Sequence, residues 1–421
     1  HVLRRRQRQM CIRDRLIFKI KMYYSHKFIY HIFSILLFGC MTAFAQESVA
    51  VMGKIIDQDG YEVPYAAVGI LQKNMGTTST EDGTFYFRVS NKELEDSMTV
   101  SSLGFSNFTI KIKDFLKLEK KEIVLEEQTT KLNEVVVNGI RFYVKNALKK
   151  LRDNTVSKNH QLNILYRRWS VEDNLCRFYI EHSINAIDRG PSSYLVKFSV
   201  DHVRTSADYR FVKNEQKLHA LKYMEFNNPL RKGINVKSYK WKKTGDSSYD
   251  NEDVIIAKGV LANKETIWLY IGMDSYKVYK LEMEKQPEVG KSLIATYVYK
   301  KNNKGKLFLS YHQREWKGAA APSENVKRAM RSNSQKVPKY IPIAYRHEVY
   351  VLDIKEDKTL FNVGEVMHNK DMTQYKTAYN PAYWEKLNIP PNTRFFNKNI
   401  GELVDLFGVP LENQFKYSNM R

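Results

Sequence analysis

Short runs in which apolar and polar residues alternate recur between Val49 and Leu125, and turn residues separate them. Alternation with a period of two predicts half-buried β-strands. The Asp82-Gly83 pair is the strongest turn signal, because Asp-Gly accepts the positive φ that a tight hairpin requires. Seven short strands, with turns about every ten residues, predict an antiparallel β-sandwich.

A second and longer series of such runs begins at Leu162. Tight turns at Gly272–Ser275 and Asn302–Gly305 connect neighbouring runs, which predicts an antiparallel meander and therefore one large curved sheet. The predicted strands are Ile164–Val171, Arg177–Ala186, Tyr194–Val203, Asp253–Leu261, Thr266–Ile271, Tyr276–Glu284, Ser292–Tyr299, Lys306–Trp316 and Ala344–Ile354.

Other segments follow a different pattern. Tyr143–Leu151 has apolar residues at helical spacing, and the C-terminal tail has a helix start at Asn380-Pro381 and an apolar helical stripe that ends at Gly408. Asn214–Tyr249 is rich in Lys and Asn and is interpreted as an insertion, and Gly318–Pro338 as a polar connection. The predicted fold is thus mainly β, with a helical connector and C-terminal helices.

The N-terminal segment predicts export. Residues 1–21 lack any core pattern and are interpreted as a non-native leader; residues 22–45 have a basic start, an apolar stretch at Phe28–Met41 and a small-residue cleavage site at Ala43–Ala45. We therefore expect a signal peptide and a periplasmic or outer-membrane-associated protein. In the alternative, Cys40 is lipidated and anchors the chain.

These patterns divide the chain into six segments. They are a leader at 1–21, a signal peptide at 22–45, a sandwich at 46–127, a linker and helix at 128–160, a sheet domain at 161–365 and a helical tail at 366–421.

The charge distribution and the cysteine content limit the kinds of partner and of covalent cross-link that we expect. The net charge is +22, but residues 46–127 carry −5, whereas residues 128–421 hold 50 Lys and Arg against 31 Asp and Glu, a net charge of +19. On an exported protein such a basic surface favours anionic lipid, lipopolysaccharide or acidic glycan partners over nucleic acid. Only Cys176 follows the signal segment, so no internal disulfide is expected, and a half-buried strand position is predicted for it.

One stretch resembles a known family. Gly53-x-Ile55-x-Asp57, Gly76-Thr77 and Asp82-Gly83-x-Phe85, followed by Val100-Ser101-x-Leu103-Gly104-Phe105, are spaced as in the carboxypeptidase-regulatory-like domain. The resemblance implies a transthyretin-like sandwich without catalytic groups, of a kind found at the front of Gram-negative envelope proteins. The second half weakly resembles the half-barrels of periplasmic lipoprotein carriers, whose concave face holds acyl chains.

No catalytic, cofactor-binding or metal-binding residues are predicted. His312 and Glu315 have the spacing of two zinc ligands, with His347 or His368 as a third, but residues three apart in a strand face opposite sides. The acidic residues Asp57, Asp59, Glu81 and Asp82 are assigned to turns rather than to calcium. The five Trp residues, at 169, 241, 268, 316 and 384, are assigned to core or interface positions rather than to sugar stacking.

The sequence therefore predicts an exported, non-enzymatic envelope protein that binds an amphiphilic or anionic ligand. A docking accessory of an outer-membrane complex, which would use sandwich edges for strand addition, is the alternative. A zinc-dependent hydrolase is the third and least favoured hypothesis.

Overall fold

The structure is a computed structural model. It describes residues 48–128, 139–193, 195–212, 219–222, 227–262, 264–287, 289–364 and 370–420. The predicted leader, signal peptide and Cys40, together with His368, lie outside the described residues, so these predictions and the proposed segment boundaries stay predictions.

The N-terminal strands form the predicted sandwich of two sheets. One sheet has the order β4-β1-β7 and the other β3-β2-β5-β6, with β1 and β7 parallel. The elements are β1 (Ser48–Asp57), β2 (Ala67–Ile70), β3 (Met75–Thr78), β4 (Thr84–Ser90), β5 (Ser97–Ser101), β6 (Phe108–Lys111), helix α1 (Ile112–Lys117) and β7 (Glu122–Leu125). The prediction of seven strands is confirmed.

Alternation explains the sandwich core. Phe85 and Phe87 on β4 are buried, and each is followed by a residue that is only partly buried. Gly83 has φ of +72°, and a Cβ there would lie 2.5 Å from the carbonyl oxygen of Ile55. The predicted turn therefore requires glycine for both conformation and space.

The large sheet contains ten antiparallel strands in the order β10-β9-β8-β17-β16-β15-β14-β13-β12-β11. The chain crosses from β10 to the opposite edge and then returns strand by strand until β17 pairs with β8. The strands are β8 (His160–Glu172), β9 (Leu175–Asp188), β10 (Lys197–Thr205), β11 (Lys240–Tyr249), β12 (Glu252–Leu261), β13 (Glu265–Gly272), β14 (Val278–Lys285), β15 (Ser292–Lys301), β16 (Leu307–Ala320) and β17 (Ile341–Lys355).

One interpretation of the connecting segments was wrong, and another was incomplete. Lys240–Tyr249, assigned to an insertion, is an edge strand in which exposed lysines alternate with half-buried residues such as Trp241. Charged residues are common on edge strands because they discourage further strand pairing. Within the polar connection at 318–338, Glu324–Ser332 forms helix α5, which begins where the Ser323 hydroxyl accepts a hydrogen bond from the Val326 amide.

The remaining helices pack against the large sheet. They are α2 (Ile140–Lys149), α3 (Leu151–Asn154), α4 (Pro229–Lys232), α6 (Pro381–Lys386), α7 (Arg394–Phe407) and α8 (Leu411–Ser418). The predicted connector corresponds to α2 and α3, and the predicted tail corresponds to α6, α7 and α8. Gly408 ends α7 in the left-handed conformation, as predicted. No helix among the described residues has the length and apolar character that crossing a membrane requires.

Candidate functional site

Strands β8, β9, β16 and β17 are covered on both faces, and the two faces differ in chemistry. The first, here called the helix face, carries Arg167, Glu181, Arg346 and Glu348 and lies under α6, α7 and α8. Contacts with these helices include Arg346 over the ring of Phe395, at 3.8 Å.

The opposite side, here called the histidine face, lies under two loop segments and carries Tyr166, Arg168, His182, His312, Arg314 and His347. His219, from one of these loops, has its ring 5.2 Å from that of His347. Asp371, from the other loop, accepts a hydrogen bond from Arg168. The histidine face is therefore an interior surface and not an exposed one.

Cross-strand pairing aligns the charged groups of the histidine face. Arg314 lies opposite His347, and His347 lies opposite Arg168, across three neighbouring strands. Paired residues have Cβ atoms about 5 Å apart, so the two arginine side chains begin about 10 Å apart with the imidazole between them. The register of β16, β17 and β8 thus places the guanidinium groups of Arg168 and Arg314 on either side of His347.

These two arginines are buried and incompletely paired. Arg168 is 0% exposed; its Nη1 donates to Asp371 at 3.3 Å, whereas its Nε and Nη2 have no partner. Arg314 is 9% exposed, its Nε is also without a partner, and within the described part of the chain no carboxylate forms an ion pair with it. Buried groups of this kind are usually satisfied, so their concentration here calls for a functional explanation.

Further polar atoms without partners lie beside the two arginines. They are the hydroxyl groups of Tyr166 and Ser170, Nδ1 of His182 and Nε2 of His347. Tyr166, His182 and His347 were placed on the histidine face above, and Ser170 lies on the same face of β8, two positions after Arg168. The face therefore offers several hydrogen-bonding groups to a molecule that the protein itself does not supply.

Three histidines at this face, His182, His219 and His347, are held neutral by a lowered pKa. Burial lowers the pKa of His182 to about 3, although its Nε2 donates to the carbonyl of Met372 at 2.8 Å. Burial, and then the charge of Arg168, lowers the pKa of His219 to about 3. The pKa of His347 is also well below its usual range, owing to burial and to His219 and the nearby arginines. At neutral pH these three imidazoles therefore add no positive charge to that of the arginines.

Asp371 is the carboxylate closest to this charge, and it is already saturated. It accepts hydrogen bonds from the His219 amide at 2.9 Å and from the Thr373 amide and hydroxyl at 2.9 and 2.8 Å. Burial opposes its ionisation, but Arg168 and these donors lower the pKa of Asp371 below its usual value. It therefore stays charged and leaves the face with an excess of positive charge.

The helix face, in contrast, is balanced. Glu181 accepts from Arg167 at 2.6 Å and also pairs with Arg204, and Arg346 donates to Glu348 at 2.6 Å. Glu81, from the hairpin turn of the sandwich, supplies the remaining carboxylate at 2.6 Å from Arg346. Burial alone would raise the pKa of Glu181, but the two arginines hold it at about 2.

The apolar part of the sheet is occupied by the chain itself. On β12–β15 the side chains that continue the histidine face are apolar, for example Ala257, Leu269 and Leu281. They form one core with Val144 and Ala147 of α2. The concave surface that the resemblance to lipoprotein carriers implied for acyl chains is thus filled by a helix over these strands.

A cavity of about 320 Å³ opens between the ends of β16 and β17 and helix α7. Its charged lining residues are Glu315, Lys317, Arg346, Lys398 and Glu402. Since both signs are present, this cavity has no clear charge preference.

The structure separates the candidate zinc ligands. His312 and Glu315 both lie on β16, with His312 stacked on Tyr297 at 5.5 Å and Glu315 paired with Lys317 on the other side. His347 lies on the same face as His312, but no group of three metal-ligating side chains occurs in the described ranges.

The turn carboxylates have partners of their own. Asp57 accepts hydrogen bonds from the amides of Asp59 and Tyr61. Asp82 pairs with Arg394 at 3.1 Å, at the start of α7. With Glu81 on Arg346, the predicted hairpin turn fastens the sandwich to the large sheet and to its helices.

Cysteine and tryptophan positions follow the predictions in part. Cys176 is fully buried, more than the half-buried position predicted, and burial raises the pKa of its thiol to about 12. Trp169 and Trp384 are core residues, whereas Trp241 and Trp316 are only partly buried at the edges of core clusters.

Sequence reasoning missed Arg168, Arg314, His182, His219 and Asp371. A signal was present in Tyr166-Arg167-Arg168, where two arginines interrupt a predicted strand. Consecutive residues in a strand face opposite sides, so one arginine had to enter each covered face.

Comparison with known proteins confirms the predicted resemblance of the N-terminal domain. Residues 51–137, about a fifth of the chain, match the family model of the CarboxypepD_reg-like domain. No curated protein matches the chain.

Solved structures resemble about half of the chain. A domain assigned to outer membrane lipoprotein sorting, from Vibrio parahaemolyticus, is 9% identical and covers 53% of this chain and 94% of its own, with a TM-score of 0.28. A LolA superfamily protein from Nitrosomonas europaea is 10% identical, with coverages of 52% and 96% and a TM-score of 0.25. A DUF1329 family protein from Desulfovibrio piger is 11% identical, with coverages of 53% and 96% and a TM-score of 0.24.

At such TM-scores the likeness supports no conclusion about the ligand or activity of the large sheet. The match to the family model is stronger evidence, and it concerns only the N-terminal domain. The chain therefore carries, at residues 51–137, a CarboxypepD_reg-like domain.

Proposed function

We propose that this chain is an exported, non-enzymatic protein of the cell envelope whose ten-stranded sheet binds an anionic ligand. The observation that carries the proposal is the histidine face, where Arg168 and Arg314 are buried with donor atoms that no described residue accepts from. An isolated buried charge is costly, so such a site is stable only with a partner of opposite charge close by.

Overall charge supports the same conclusion. The excess of positive charge belongs to residues 128–421 and is absent from the sandwich. A positive surface raises the local concentration of anionic molecules and accelerates their encounter with the site.

The packing of α2 favours an anionic group over a purely apolar ligand. The apolar half of the concave face is already closed by the Val144 side of this helix. What the rest of the face offers is guanidinium, imidazole and hydroxyl groups. An amphiphile would therefore be recognised through its charged end.

The polar groups of this face do not form a nucleophile and base pair. The Ser170 hydroxyl has no hydrogen-bond partner, and His182 uses Nε2 to bind a backbone carbonyl. Nucleophilic catalysis needs a base within hydrogen-bond reach of the nucleophile. These contacts support binding without chemistry.

The proposed location in the cell envelope is inferred from the sequence. The predicted signal peptide at 22–45 and the CarboxypepD_reg-like domain behind it support export to the periplasm or to the outer membrane, with Cys40 as the alternative lipid anchor.

Native mass spectrometry of the mature protein, purified gently from envelope fractions, tests the proposed function. We expect a copurifying anionic lipid or glycan, and binding to anionic but not to neutral vesicles. Absence of both would refute the proposal. Crosslinking that captures an outer-membrane protein without any such ligand would support a docking accessory instead.

A further inference from the structure

We infer that Arg168 and Arg314, on either side of His347, form a binding site for a phosphoryl group. The inference rests on the proposed function and names the chemistry that the histidine face recognises. The phosphoryl group can belong to the head group of an envelope lipid or to free inorganic phosphate.

The donor set fits a tetrahedral oxyanion. Arg168 presents Nε and Nη2, the two adjacent donors on one edge of its guanidinium, and both lack partners. This edge matches two oxygens of a phosphoryl group in a bidentate arrangement. Arg314 adds Nε from the other side of His347.

Geometry favours a phosphoryl group over a carboxylate. The two arginines begin about 10 Å apart, two strands from one another, and their long side chains stand on the same face. A carboxylate has two oxygens in one plane, so it can contact two guanidinium groups only within that plane. A phosphoryl group has oxygens in three directions and can bridge both arginines and the Nε2–H tautomer of His347.

The charge of the site requires such a group. The nearest loop residues contribute Asp371, which pairs with Arg168, and Arg210, which pairs with Asp208 at 2.8 Å. The buried Glu172 on β8 interacts with Arg210 and Arg177. Arg314 forms no ion pair with a described carboxylate, so the site carries about one excess positive charge while His182, His219 and His347 are neutral. A bound monoanion or dianion offsets this charge in a place where water is largely excluded.

The neighbouring titratable groups make binding sensitive to pH. Those that face the site are His219 and Asp371 from the covering loops, His182 and Tyr166 from β9 and β8, and Tyr345 and His312 from β17 and β16. An anion between the arginines favours the protonated form of the adjacent imidazoles. Affinity for an anion of constant charge, such as sulfate, should therefore increase as the pH falls.

Isothermal titration calorimetry on the mature protein tests the site with inorganic phosphate, sulfate and acetate. We expect phosphate and sulfate to bind and acetate to bind at least about tenfold more weakly. Arg314→Gln should weaken phosphate binding about tenfold or more, because it removes a charged donor. Arg328→Gln, on the exposed side of α5, is the matched control and should leave phosphate binding unchanged.

Vesicles distinguish the two sources of the phosphoryl group. If phosphatidylglycerol vesicles bind the wild type and release Arg314→Gln, while free phosphate binds only at millimolar concentration, the ligand is a lipid head group. If free phosphate binds tightly and the vesicles do not bind, the ligand is the free ion. Thermal melting confirms in either case that Arg314→Gln is folded.

Two outcomes would overturn the site. Vesicle or phosphate binding that is equal in the wild type and in Arg314→Gln shows that the protein binds anions elsewhere, and the proposed function survives. Failure of the wild type to bind phosphate, sulfate and anionic vesicles removes the site, and if no anionic ligand copurifies it removes the proposed function as well.

Discussion

The helix face and the histidine face belong to the same four strands, and both bury arginines. On the helix face Arg167 and Arg346 meet Glu181, Glu348 and Glu81, so each guanidinium has a carboxylate within hydrogen-bond distance. On the histidine face Arg168 pairs with Asp371, which also accepts hydrogen bonds from other residues, and Arg314 has no carboxylate partner among the described residues.

The difference separates two uses of buried charge. A balanced network holds elements together, and here it fixes helices and the sandwich turn in a defined place. An unbalanced cluster lowers stability until a ligand completes it, which is a common feature of binding sites. The following predictions test this assignment.

The largest effect is expected on the helix face. Glu181→Gln leaves Arg167 and Arg204 buried without their carboxylate and should lower the free energy of unfolding by about 3–5 kcal/mol. Urea unfolding followed by tryptophan fluorescence measures this change, since Trp169 lies in the same core cluster as the helices. Glu324→Gln, at an exposed residue of α5, is the control and should leave the free energy of unfolding almost unchanged. A loss equal to that of the control would contradict the structural role of the network.

Acid should weaken the histidine face before the helix face. The pKa of His182 is about 3 in the folded protein and near 6.5 when unfolded, so its contribution is complete above pH 6.5 and is lost as the pH falls towards 3. The pKa of Glu181 is about 2, so its contribution is complete above about pH 4.5 and is lost only below that. Between pH 6.5 and 4.5 we expect His182 alone to cost about 2 kcal/mol of unfolding free energy.

The variant His182→Gln isolates this contribution. The glutamine Nε2 can replace the hydrogen bond to the Met372 carbonyl but does not titrate. Urea unfolding at pH 6.5 and 4.5 should show a smaller loss in the variant than in the wild type. Equal losses would assign the acid sensitivity to other groups.

Removing an arginine should have opposite consequences on the two faces. Arg314→Met deletes an unpaired buried charge and should leave stability unchanged or raise it by about 1 kcal/mol in ligand-free protein. Arg346 directly precedes His347, the register partner of Arg314, and lies on the helix face. Arg346→Met should lower stability by about 2 kcal/mol or more, because Glu348 loses its partner. Similar losses in both variants would show that the faces do not differ.

The smallest effect is expected at the rim of the helix face. Arg394 pairs with Asp82 but is 74% exposed, so Arg394→Gln should leave the free energy of unfolding almost unchanged. The same urea titrations measure it. A loss as large as that of Arg346→Met would mean that the exposed pair, and not the buried network, fastens the sandwich turn to α7.

Sequence patterns predicted most of the fold because strand alternation and turn chemistry are local. Asp82-Gly83 and Gly408 were found in this way, since their conformations depend on a few neighbouring residues. Lys240–Tyr249 was missed because an edge strand with lysines outside looks like a loop. Its identity as a strand comes from pairing with Glu252–Leu261.

The candidate site could not be found from local patterns. His182, His219, His347 and Asp371 are separated by between 24 and 189 positions in the chain, and only the crossing from β10 to β11 and the pairing of β17 with β8 bring them together. The sequence did predict that His312 and Glu315 face opposite sides of the sheet, because this depends only on the alternation of side chains along a strand.

The adjacency of Arg167 and Arg168 also acts as a check on strand register. A slip of β8 by one residue that moves Arg167 opposite His347 would also move Arg168 opposite Arg346, so each arginine would enter the other face. All the remaining side chains of β8 would change sides as well, so Trp169 would leave its aromatic cluster and Tyr166 would move opposite Glu181. A single-residue insertion or deletion in this strand would therefore damage both faces at once, and the middle of β8 should be the part of the sheet least tolerant of changes in length.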